Sequence, residues 1–194
     1  MAATSVSLLE RLRLQPEGAD WQRLVDIYTP LIRGWLGRQD VPPADADDLV
    51  QDVLGVVVRE LEAFQHNQRS GAFRAWLRAI TVNRLRGYWR GRHRPGQPSG
   101  GSDALRQLEQ LEDPNSGLSQ LWDQEHDRHV LGRLLEMLEP EFPATSWKAF
   151  RRHVLDDVPA AAVAQELGVT VNVVLLAKSR ILRRLRQEAE GLLD

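Results

Sequence analysis

Apolar residues recur along this chain at helical spacing nearly from end to end, and no run alternates as a half-buried strand does. That period points to an all-α fold. Ser5–Leu14 reads as a short first helix. Asp20 is a plausible N-cap for a helix to about Leu36, with Trp21, Leu24, Val25, Tyr28, Leu31, Ile32 and Trp35 on its buried side. Pro30 inside that stretch predicts a kink or a break. Pro42 and Pro43 mark a turn before a helix over about Ala44–Phe64, and polar His66–Gly71 closes it. Further helices are expected over Leu118–Leu138, Ala144–Leu155, Pro159–Leu167 and Val171–Leu192.

Between these segments, residues 91–117 change character. GRHRPGQPSGGSD is rich in Gly, Pro and Ser and cannot bury enough apolar surface to fold alone. LRQLEQLEDPNSG offers a short amphipathic turn at most. The expected organisation is therefore two small helical domains, 1–92 and 118–194, joined by a flexible linker over 93–117, with a helix-turn-helix ending the second.

Residues 71–94, GAFRAWLRAITVNRLRGYWRGRHR, carry seven arginines and no acid. Phe73, Trp76, Leu77 and Ile80 fall at i, i+3, i+4 and i+7, so one side of this helix is apolar. Guanidinium groups take phosphates and flat rings stack on unpaired bases, which suits a nucleic acid. A solvated surface helix normally mixes both signs of charge. Trp76 is expected in the core, and Trp89 is open to either role.

Net charge is only −2, so the whole chain is not a basic coat, but its charge is sorted into blocks. Residues 40–62 hold seven acids against Arg59, residues 103–127 hold seven against Arg106, and residues 171–187 hold five bases and no acid. Separate faces for separate partners follow. No cysteine is present, which excludes disulfides, cysteine zinc sites and thiol catalysis. No apolar run reaches the ~18–20 residues of a membrane span, and the first residues do not read as a secretory signal, so a cytoplasmic location is expected. No Gly-rich phosphate loop or serine elbow occurs. No cofactor is called for.

Residues 157–187, DVPAAAVAQELGVTVNVVLLAKSRILRRLRQ, form a second constellation. Pro159 suits a helix start, Gly168 a left-handed turn, and Thr170 an N-cap. On the following helix Val171, Val174, Ala177, Ile181 and Leu185 should pack inward. Asn172, Leu176, Ser179 and Arg183 lie opposite, with Arg180 on the flank. This form enters a major groove, its early polar residues reading base edges and its later arginines holding phosphates.

Asp45, Asp48, Leu49 and Asp52 share one helix face. Three carboxylates there fit a basic protein partner, a solvated face or, least readily, a metal-dependent nuclease, since no histidine or glutamate completes a ligand set. His126 and His129 read as helix surface rather than as a metal pair.

DADDLVQDV (45–53), GAFRAWLRAITVNRLRGYWR (71–90) and GVTVNVVLLAKSRILRRLR (168–186), in this order around a linker, resemble the extracytoplasmic-function class of bacterial sigma factors. The resemblance covers about three quarters of the chain. It implies a non-enzymatic initiation factor that binds core RNA polymerase and promoter DNA, is monomeric when free, has no membrane partner, and can be held by an anti-sigma factor. By that likeness Asp45, Asp48, Leu49, Gln51 and Asp52 meet the clamp helices of the polymerase β′ subunit, and the linker follows the polymerase, where the β subunit is a further contact. Arg78, Asn83, Arg86, Trp89 and Arg90 melt and read the −10 element, with a flipped base taken by the loop over about 62–71. Asn172, Leu176, Ser179, Arg180 and Arg183 read the −35 element. Two features depart from the family's pattern: Asp47 replaces a frequent glutamate, and Val173, Leu175 and Leu176 are apolar where polar contacts are frequent. The rival reading is a helix-turn-helix regulator that binds duplex DNA without polymerase.

Overall fold

A computed structural model describes residues 7–14, 18–64, 71–92 and 101–193. The fold class is all-α as expected: helices and turns, with no strand among the described residues. The helices are α1 (Leu8–Leu14), α2 (Ala19–Arg38), α3 (Pro43–Glu60), α4 (Ala72–Arg92), α5 (Gly101–Glu112), α6 (Gly117–Leu138), α7 (Ala144–Phe150), α8 (Ala160–Leu167) and α9 (Val171–Ala189). The chain divides into two compact bodies, one built on Leu9–Val130 and the other on Leu131–Glu190, so the division falls inside α6.

In the first body α2 buries Leu24, Ile27, Tyr28, Leu31, Ile32, Trp35 and Leu36. Pro30 does not end the helix. An interior proline costs about 3 kcal/mol, and burying each large apolar side chain returns about 1.5–3 kcal/mol, so the packed face outweighs the lost hydrogen bond. Asp20 is not the N-cap, which is Gly18. It sits in the first turn and grips Arg11 of α1 through two hydrogen bonds of 3.0 Å, a bidentate pairing that lowers its pKa. In α3, Pro42 and Pro43 set the start and a valine-rich face packs inward.

The segment expected as a flexible tether differs most from expectation. Its residues 93–100 lie outside the described residues. Residues 101–112 form α5, which buries Leu108 and Leu111. The turn after it is a paired cap. Ser119 donates its hydroxyl to the Leu111 carbonyl at 3.0 Å, and Ser116 Oγ accepts the Ser119 amide at 3.0 Å. These bonds satisfy end groups that two adjoining helices would otherwise leave open. Trp122 then packs tilted against Trp35, with centroids 4.6 Å apart, and the first half of α6 belongs to the first body.

His126, expected on the surface, is wholly buried. Its Nδ1 lies 3.0 Å from Asp127 and its Nε2 3.2 Å from the Tyr28 hydroxyl. A carboxylate can only accept, so Nδ1 carries the proton and Nε2 accepts from Tyr28. Burial lowers the His126 pKa, while Asp127 pulls the other way. His129 bonds the Ile27 carbonyl at 2.6 Å.

In the second body Ala149 of α7 packs with Val163, Ala164, Val174 and Ala177, and Trp147, Phe150 and Ile181 are buried as well. Gly168 takes φ 65°, and Thr170 Oγ accepts the Val173 amide at 3.3 Å, both as expected. The axes of α8 and α9 are bent by 109° across this turn.

Candidate nucleic-acid interface

Helix α4 supports two different faces. Asn83, Arg86 and Arg90 fall at i, i+3 and i+7, which places them on one stripe. Asn83 and Arg90 are exposed, and Arg86 is half-buried. Arg84 is exposed beside this stripe. Arg78 and Trp89 lie off it, toward the interior. Arg78, expected at the DNA, is only 7% exposed. Its guanidinium donates to Asp123 at 2.6 Å and to the Ser119 carbonyl at 3.4 Å. Trp89 is half-buried edge-on to Tyr88. Of the expected group of five, Asn83 and Arg90 are thus exposed, Arg86 and Trp89 half-buried and Arg78 buried.

Trp76, assigned to the core, is half-buried and stacks on Phe64 at 4.6 Å between centroids. Gly71 precedes α4 with φ 74°, a conformation that favours glycine, and the Arg74 guanidinium lies where a Cβ would stand, 2.8 Å away. Arg74 reaches Asp127 at 2.5 Å and Asp123 at 3.5 Å. Arg86 meets Glu112 at 2.7 Å, which raises the Arg86 pKa and lowers that of Glu112. None of these acids was assigned to the arginine helix from sequence. The acidic block 103–127 was visible, but its target is set only by how α5 and α6 pack.

Beside α4, Asp48, Gln51 and Asp52 of α3 are exposed and Asp45 is half-buried. Leu49 is 6% exposed and lines the cleft between α3 and α4. Tyr88 donates its hydroxyl to Asp45 at 2.7 Å, tying the two helices. The cleft between them, of about 360 Å³, is lined also by Asp45, Asp48, Asp52, Asn83, Arg84 and Tyr88. The carboxylate face and the Asn83 stripe therefore adjoin on one surface. Among the described residues no three acidic or histidine side chains are grouped to hold a metal ion. Residues 65–70 of the loop expected to take a flipped base lie outside the described residues.

The second body presents α9. Asn172, Leu176, Ser179, Arg180 and Arg183 are all exposed. Val174, Ala177, Ile181 and Leu185 are buried as expected, but Val171 is 42% exposed because it opens the helix beyond the reach of α8. Arg184 turns aside to Glu141, 2.8 Å away, and to Glu188. The outer face is apolar at its start, with Val173, Leu175 and Leu176 exposed, and basic further on.

Residues 24–94 match the family model of Sigma-70 region 2, a span that takes in most of α2, all of α3 and all of α4. The match covers less than half of the chain, and over that span the chain is similar to Sigma-70 region 2. No curated protein matches the chain.

Proposed function

We propose that this chain, with its match to region 2 of the sigma-70 family, is a sigma factor of the extracytoplasmic-function class. The body on Leu9–Val130 serves as region 2 and that on Leu131–Glu190 as region 4. It works in the bacterial cytoplasm, joins core RNA polymerase and directs promoter-specific initiation. The observation that carries this reading is the adjoining pair of surfaces on α3 and α4, inside the matched span. Asp45, Asp48, Gln51 and Asp52 form the face for the clamp helices of the β′ subunit, where charge complementarity speeds encounter. Asn83, Arg86 and Arg90 meet the melted −10 strand, arginine with phosphate and asparagine with a base edge.

In the second body the short α8, the Gly168 turn and the bend of 109° support a groove-entering pair, for which about 90–120° is usual. Asn172 stands in the first exposed turn, within reach of base edges, and Arg180 and Arg183 lie farther along, beside phosphates. An anti-sigma factor is a further partner on this reading.

The test is association with core polymerase. Asp48 and Asp52 are exposed, so Asp48→Arg with Asp52→Arg should leave the fold intact while abolishing co-elution with core. Wild-type transcription by that double variant would overturn the assignment. Submicromolar specific binding of promoter duplex by the free chain at physiological salt would favour the stand-alone regulator.

A further inference from the structure

We propose that α5 is an internal competitor for the nucleic acid: its Glu112 occupies Arg86 of α4 in the free chain, and that carboxylate must leave before Arg86 takes a phosphate. This rests on the reading of α4 given above and names how that same site is regulated. Residues 71–94 carry seven arginines and no acid, and residues 103–127 carry seven acids and one arginine. The fold brings these two blocks of opposite sign together. Arg86, the middle residue of the outward stripe, is held by Glu112 at 2.7 Å. Glu109 adds to the field on the same guanidinium. The Glu112 carboxylate thus stands where the anionic oxygens of a phosphate would.

The contact at Glu112 can be released while α5 stays packed through Leu108 and Leu111. The Arg86–Glu112 pair is open to solvent, with side chains 23% and 45% exposed. Such a pair contributes little, and salt screens it. The pairs on α6 differ, because Arg78 is buried against Asp123. The α6 acid Asp123 is therefore a fixed partner of α4, and the α5 acid Glu112 is a releasable one.

The experiment uses the full chain with Glu109→Gln and Glu112→Gln. Both side chains are exposed, so the core is undisturbed. A charge-matched control changes Glu139→Gln and Glu190→Gln in the other body. The probe is a fluorescent single-stranded oligonucleotide, titrated by anisotropy over a salt series. The α5 variant should bind roughly threefold to tenfold tighter than the control, with a salt slope steeper by about 0.7, the value for one added single-strand phosphate contact. Adding Arg86→Ala should remove that gain. Equal binding by the α5 variant and the control would overturn the competition by Glu112, provided Arg86→Ala still weakens open-complex formation by the polymerase complex. Undiminished open complexes with Arg86→Ala would overturn the reading of α4 itself, and the competition with it.

Discussion

Replacing Arg78 and Asp123 one at a time separates a structural arginine from a DNA-binding one. In Arg78→Met the aliphatic stem is kept and the charge is lost. The abandoned Asp123 is 29% exposed and keeps Arg74 at 3.5 Å, so the expected loss is modest, about 1–2 kcal/mol. In Asp123→Ala the abandoned group is the Arg78 guanidinium, 8% exposed, with only the Ser119 carbonyl at 3.4 Å. Breaking a buried pair so that one charge is stranded costs about 3–5 kcal/mol, and the remaining carbonyl puts this case near 3. Each kcal/mol shifts the melting point of a domain of this size by roughly 3–5 °C, so Asp123→Ala should melt about 10–15 °C lower and Arg78→Met about half as far. Thermal unfolding by circular dichroism gives the shift, and hydrogen exchange in α4 assigns it to the first body. If both variants stay within about 0.5 kcal/mol of the parent, Arg78 is a solvated surface residue. The burial argument then fails and Arg78 returns to the promoter-facing set.

Arg90→Ala, in complexes with core polymerase, should weaken promoter binding across sequences and reduce the salt slope by about one unit; an unchanged slope in a salt titration would remove Arg90 from the interface. Asn172→Ala should change base preference at one −35 position by about 1–3 kcal/mol, whereas Arg183→Ala should weaken all sequences alike; a promoter-library readout with the two patterns exchanged would reverse their roles. The folded pKa of His126 is depressed by burial, so the unfolded chain binds more protons between that value and the unperturbed one of about 6.5. Stability from this group is complete above pH 6.5 and is lost as pH falls through the folded pKa. Melting points measured from pH 7.5 to 5.5 should therefore fall, and less so in His126→Gln; a flat profile would contradict the buried neutral imidazole.

Local order was legible in the amino-acid pattern. Helical period fixed the all-α class, because an apolar stripe must repeat every three to four residues to face one core. The turn at Gly168 and the cap at Thr170 were legible for the same reason: each depends on backbone conformation or a hydrogen bond within three residues. Of the candidate interface, the exposed face of α9 was readable from spacing, whereas spacing did not separate Asn83, Arg86 and Arg90 from Arg78 and Trp89. Which charge meets which was settled by packing. Arg78 and Arg86 look alike in sequence, yet one is locked to Asp123 and the other touches Glu112 at the solvent edge. Leu49 sits among exposed carboxylates by helical spacing, but the packing of α3 against its neighbours leaves it only 6% exposed. The Gly- and Ser-rich approach to α5 hid a helix whose stability comes from burying Leu108 and Leu111 on the first body rather than from its own propensity. Coulomb attraction acts between groups brought within a few ångströms by other forces. A chain's charge blocks therefore show what could pair, and the packing of its apolar faces settles what does.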